Sequence, residues 1–217
     1  MQSERIVSFI FDYGCTPFFY NVGVMRINIA LPLPRPFKYE LDKRMRPFRK
    51  ELFDYSPHYQ WLDKEEWRVT LGFFGKLSDP LDVERVCVAV EQEVFGFGRI
   101  AGVTGKIITF PKEFFYDRER KTVGLTFEKG SERMAELSER IAGKMNGLLS
   151  NKYIPFKDPY ITLVRKDRRR MPIFRLEWMK KLELEPLECT FDKVTVYISD
   201  KRVSGGVYVL RRSARLI

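Results

Sequence analysis

A chain of 217 residues, 44% hydrophobic and 31% charged, carries enough apolar material to bury a substantial core and reads as globular rather than disordered. Its net charge of +10 favours polyanionic partners such as RNA or nucleotides, and no apolar run is long enough to span a bilayer. Cys15, Cys87 and Cys189 are odd in number and lack C-x-x-C spacing, while His58 is the only histidine, which removes most metal sites, catalytic triads and His–His pairs.

In chain order, residues 1–24 read as an N-terminal extension without the features of a secretory signal, and Met25 as the natural start. Residues 25–31 read as a strand. Pro34 and Pro36 open a helical stretch to about Phe53, with Pro47 able to kink it. A strand over 67–73 is ended by Gly75. Asp79-Pro80 starts a helix to about Val94 whose apolar face is Leu81, Val83, Val86, Val90 and Val94. Strands follow near 99–110 and 121–127. Ser131 and Glu132 cap a helix ending near Gly147. Further strands read at 159–165, 188–198 and 206–211, the last two joined through Ser204-Gly205-Gly206. The order repeats strand and helix in each half, and two facing lobes packed as one unit over 25–217 explain it most simply.

Two segments look like copies: Trp67-Arg68-Val69-Thr70-Leu71 and Pro159-Tyr160-Ile161-Thr162-Leu163. Residues two apart on a strand share a face. Arg68 then projects beside Thr70, and Tyr160 beside Thr162, while Val69, Leu71, Ile161 and Leu163 point into a core.

These segments resemble the paired motifs of the 2H phosphoesterase superfamily, specifically the RNA 2′,3′-cyclic phosphodiesterase (2′-5′ RNA ligase) group. Trp61 with residues 67–75 is similar to its Trp-loop-His-x-Thr-Leu-x-Phe-x-Gly block, and residues 159–165 to its Pro-His-x-Thr-Leu-x-Arg block. The opening strand Arg26–Pro32 and the closing hairpin, Val196–Ser199 through Gly205–Leu210, fit the same pattern. The resemblance implies an α+β, two-lobed duplicated fold, with two antiparallel sheets facing a central cleft and helices packed outside. It also implies a departure. The family's histidines, one a general base and the other a general acid, fall on Arg68 and Tyr160. Arginine is in practice never deprotonated, and tyrosine titrates near ~10, so neither suits that work. Family-type catalysis is not expected, and no cofactor or metal is implied.

The replacements suit anions. Arg68, Thr70, Tyr160 and Thr162, with Arg165 beside the second block, describe a ligand-binding set for RNA ends or nucleotide phosphates. Each residue also has a plainer reading: a salt bridge from Arg68 to the Asp63–Glu66 loop, Tyr160 as a core tyrosine, the threonines as ordinary strand residues. His58 reads as a loop histidine. The basic runs 165–170 and 43–50 offer an RNA-backbone path or a solvated face, and the Phe114–Tyr116 loop a stacking surface. Phe73 reads as core. The leading expectation is a cytoplasmic, monomeric, non-membrane binding protein. An active phosphodiesterase using Tyr160 or a metal, and a structural or protein-interaction module with a collapsed cleft, are the alternatives.

Overall fold

The computed structural model describes residues 25–55, 59–77, 79–111, 121–149, 153–166, 184–199 and 208–217. His58, the Phe114–Tyr116 loop, residues 167–170 of the basic run and the Ser204–Gly206 connection lie outside them.

The two motif strands meet at the middle of a ten-stranded, antiparallel sheet. The first half of the repeat is β1 (Met25–Pro32), α1 (Arg35–Tyr55), β2 (Tyr59–Trp61) and β3 (Arg68–Leu77). The second is β5 (Lys121–Lys129), α3 (Ser131–Leu148), β6 (Tyr153–Pro155) and β7 (Ile161–Lys166). Between them lie α2 (Pro80–Val94) and β4 (Ile100–Pro111). The chain closes with β8 (Glu188–Phe191), β9 (Lys193–Ser199) and β10 (Tyr208–Arg215). The strand order is β10-β9-β1-β3-β7-β5-β4-β8. The short β2 crosses to pair with β7, and the short β6 crosses to pair with β3.

The repetition extends to single-residue register. Leu31 faces Val69 and Ala30 faces Thr70; correspondingly, Leu125 faces Ile161 and Gly124 faces Thr162. The next pairs are Ile29 with Gly72 and Val123 with Val164, so each motif strand carries an extra residue at the same place, Leu71 or Leu163. The carbonyls of those two residues then accept matching bonds across the halves. Phe156 N–H donates to Leu71 at 2.9 Å, and Leu62 N–H donates to Leu163 at 2.9 Å. The bridge between Val69 and Ile161 sits on the local two-fold axis relating the halves.

Burial follows the alternation read from sequence. Val69, Leu71, Ile161 and Leu163 are fully buried in one continuous core, whereas Arg68, Thr70, Tyr160 and Thr162 are half-buried on the opposite face. Several elements differ from expectation. β3 runs through Gly75 to Leu77, because Ile27 with Phe74 and Met25 with Leu77 continue its ladder with β1. Leu81 is 50% exposed and lies off the buried face of α2, which is Val83, Val86, Cys87, Ala89, Val90 and Val94. The α3 N-cap is Gly130, in a left-handed conformation (φ 85°), and not Ser131, which is the first helical residue. The single strand expected over 188–198 is two strands broken at Asp192: β8 pairs with β4, and β9 with β1 and β10.

Candidate anion site on the paired motif strands

The Val69–Ile161 bridge fixes how the motif residues meet. In an antiparallel pair, the positions flanking that bridge are Arg68 with Thr162 on one side and Thr70 with Tyr160 on the other. All four lie on the face away from the core. The motif therefore assembles crosswise, with each threonine adjacent to the large polar residue of the other copy.

Two residues that the sequence reading did not assign to the site complete this face. Tyr197 on β9 pairs with Asn28 on β1, and Asn28 pairs in turn with Phe73 on β3, making a row beside the motif residues. The Arg68 guanidinium lies over the Tyr197 ring, 4.5 Å from its centroid. A cation stacked this way is held in orientation by the ring's negative face. Burial raises the Tyr197 hydroxyl above the usual phenol range, opposed by the Arg68 charge and by hydrogen bonds to Thr195 and Arg68. Tyr197 thus stays a neutral hydroxyl at physiological pH. Thr195, itself fully buried, exchanges a 2.8 Å bond with Ser213 on β10, so a run of hydroxyls leads from Arg68 to the sheet edge. Asn28 is 7% exposed; its Nδ2 donates to Thr70 Oγ1 at 3.4 Å.

The remaining expected residues fall as follows. Arg165 belongs to β7, where its backbone pairs with Gln60 and Thr122. Phe73, read from sequence as core, is only 9% exposed, but its pairing with Asn28 places it on the site face, because the extra residue Leu71 shifts the alternation of β3. Within the 43–50 run, Arg44 bonds Glu40 at 2.9 Å and Arg46 bonds Asp42 at 3.3 Å, so part of that charge is already neutralised. A further cationic patch lies where α1 meets the turn before β3. Lys64 sits 4.0 Å from the centroid of Tyr39 and Arg35 sits 5.7 Å from it. The Arg35 hydrogen bond, followed by the Lys64 charge, holds the Tyr39 hydroxyl below its ordinary range. Among the described residues no group of three or more His, Cys, Asp or Glu is placed to hold a metal ion, and no helix is long and apolar enough to cross a membrane.

The face can orient an anion: one fixed cation, several hydroxyls, and an amide that is itself buried. The positions flanking the bridge carry arginine, tyrosine and two threonines, and none is a histidine.

No family model and no curated protein matches this chain. Solved structures do. A crystal structure of E. coli LigT complexed with 3′-AMP matches with a TM-score of 0.61 at 14% identity, covering 89% of this chain and 99% of that one. Thermus thermophilus TT0787 matches with a TM-score of 0.61 at 18% identity, covering 88% and 97%. Kluyveromyces marxianus Usb1 matches with a TM-score of 0.53 at 8% identity, covering 88% and 99%. A crystal structure of a phosphoesterase matches likewise, with a TM-score of 0.61 at 14% identity, covering 89% of this chain and 99% of that one. The fold is therefore that of the 2H phosphoesterases.

Proposed function

We propose that this chain binds the phosphate of an RNA end or a nucleotide on the paired-motif face, without the acid–base reaction for which the fold is known. The observation that carries this reading is the Val69–Ile161 bridge, which gathers Arg68, Thr70, Tyr160 and Thr162 around one point. At that point two histidines are expected and neither is present. Arg68 supplies a permanent charge steadied by Tyr197, and the threonines and tyrosines supply hydroxyl donors. The +10 net charge adds long-range attraction for a polyanion. Structures of LigT complexed with ATP, 3′-AMP and NADP+ support a nucleotide-sized ligand for this architecture.

Titration of the full chain with a fluorescent oligoribonucleotide ending in a 2′,3′-cyclic phosphate tests this. Binding is expected to weaken steeply with added salt, and Arg68→Ala is expected to weaken it by about tenfold or more, the value of a charge-assisted hydrogen bond. The cyclic phosphate is expected to survive prolonged incubation. The double change Arg68→His and Tyr160→His is expected to open it. Salt-insensitive or absent binding sinks the reading, and hydrolysis by the native chain that disappears in Tyr160→Phe replaces it with an active phosphodiesterase.

A further inference from the structure

The polar atom of this face without an evident task is the Asn28 carboxamide oxygen. Asn28 sits in the middle of β1, flanked by Ile27 and Ile29, both fully buried in the core. Its own side chain lies on the other face, between Tyr197 and Phe73 on the neighbouring strands, and is more than nine-tenths buried. A buried amide in an otherwise apolar strand costs free energy unless it is bonded. It makes one bond, from Nδ2 to Thr70 Oγ1 at 3.4 Å, and its Oδ1 is buried with no partner among the described residues.

The two orientations of that amide have opposite consequences for Thr70. With Nδ2 facing the hydroxyl, Asn28 is the donor, a lone pair of Oγ1 is occupied, and the Thr70 proton has to point elsewhere. With Oδ1 facing it, the Thr70 proton is consumed by Asn28. The second arrangement strands both hydrogens of the NH2 group in a buried site, and the first leaves the carbonyl and only one of those hydrogens without a partner. Orphaned buried donors are the rarer and more costly of the two. The first arrangement is the one in the structure.

We infer that Asn28 is a positioning residue that turns the Thr70 hydroxyl into a donor toward the ligand. The face is thereby biased toward oxyanions that only accept hydrogen bonds. Arg68 can only donate, so a fixed donor at Thr70 puts two committed donors side by side. An oxyanion that carries its own O–H must turn that group away or lose a bond. This rests on the phosphate-binding reading above and assigns the polarity of one contact within it.

Sulfate and inorganic phosphate provide the test. At pH 8 both are dianions of similar size, and phosphate carries one extra proton. Calorimetric titration of the full chain with each is expected to show sulfate binding about fivefold tighter, the worth of one good hydrogen bond. In Asn28→Leu, which is nearly isosteric and makes no hydrogen bond, the Thr70 hydroxyl rotates freely and the preference is expected to shrink toward unity. In Asn28→Asp, which can only accept, it is expected to reverse toward phosphate. The ratio is the readout because added negative charge or partial misfolding weakens both anions alike. A native chain that binds both anions without preferring sulfate overturns the inference, as does a ratio unchanged in both variants. A native chain that binds neither anion overturns the phosphate-binding reading itself.

Discussion

Gly72 lies directly beneath the phenol of Tyr153, so a Cβ there would occupy the space already held by the ring and its hydroxyl. Tyr153 is wholly buried, packs its ring 5.0 Å from that of Phe74, and keeps a hydroxyl with no partner among the described residues. Gly72→Ala is therefore expected to cost about 2 kcal/mol or more from overpacking. Tyr153→Phe is expected to be neutral or to stabilise by up to about 1 kcal/mol, since it removes an unpaired polar atom at no loss of packing. Urea midpoints of the two variants against the native chain check both. At this scale, period-two alternation sufficed to sort Val69, Leu71, Ile161 and Leu163 from Arg68, Thr70, Tyr160 and Thr162. It could not reveal the roles of Asn28 and Tyr197. They meet Thr70 and Arg68 only through cross-strand register, which no local stretch of sequence encodes. The one signal available was a single amide inside the apolar run Ile27–Ala30.

The helices show which local signals carry weight. Asp79 Oδ1 accepts the Leu81 N–H at 2.8 Å, and Pro80 fills the first helical position, so the start of α2 was legible in the dipeptide Asp79-Pro80. Asp79→Ala is expected to cost about 1 kcal/mol. Ser131, by contrast, makes no N-cap, and Ser131→Ala is expected to change stability by less than about 0.5 kcal/mol. Gly130 holds that turn at φ 85° with the Ala101 carbonyl close above it, so Gly130→Ala is expected to cost more than either, about 2 kcal/mol. Thermal melts of the three variants rank them. The break at Asp192 was not legible. Residues 188–198 alternate and branch like one long strand, and only the competing partners β4 and β1 divide it. Leu81 misled for a related reason: helical period alone cannot tell a stripe's buried centre from its exposed margin.

Across the whole molecule, buried groups that hold their protons weaken the fold at alkaline pH: the phenols of Tyr153 and Tyr197, both raised by burial, and two thiols. Burial pushes Cys87 up from 9.0 to about 12, with the Glu84 charge adding to it, and pushes Cys189 up to about 12 as well. A raised pKa means that the folded state keeps protons which the unfolded chain gives up. The stabilisation is complete below pH 9.0 and is lost as pH rises toward about 12. The unfolding free energy from urea titrations should therefore fall across that window by up to about 1.4 kcal/mol per pH unit for each thiol, and Cys87→Ala should flatten the slope. The repeat was visible in the order of elements, yet the exchange of β2 and β6 between halves was not, since three-residue strands carry too little pattern to show whom they join. The junction at Asp192 joins β8, at one end of the strand order, to β9, next to the other end. Its consequence lies in time. β1 gains β3 after about 40 residues of chain but waits about 170 for β9, a loop closure that slows folding. Throughout that interval one side of β1 keeps its N–H and C=O groups unpaired, and a second unfinished molecule is the competitor best shaped to fill it.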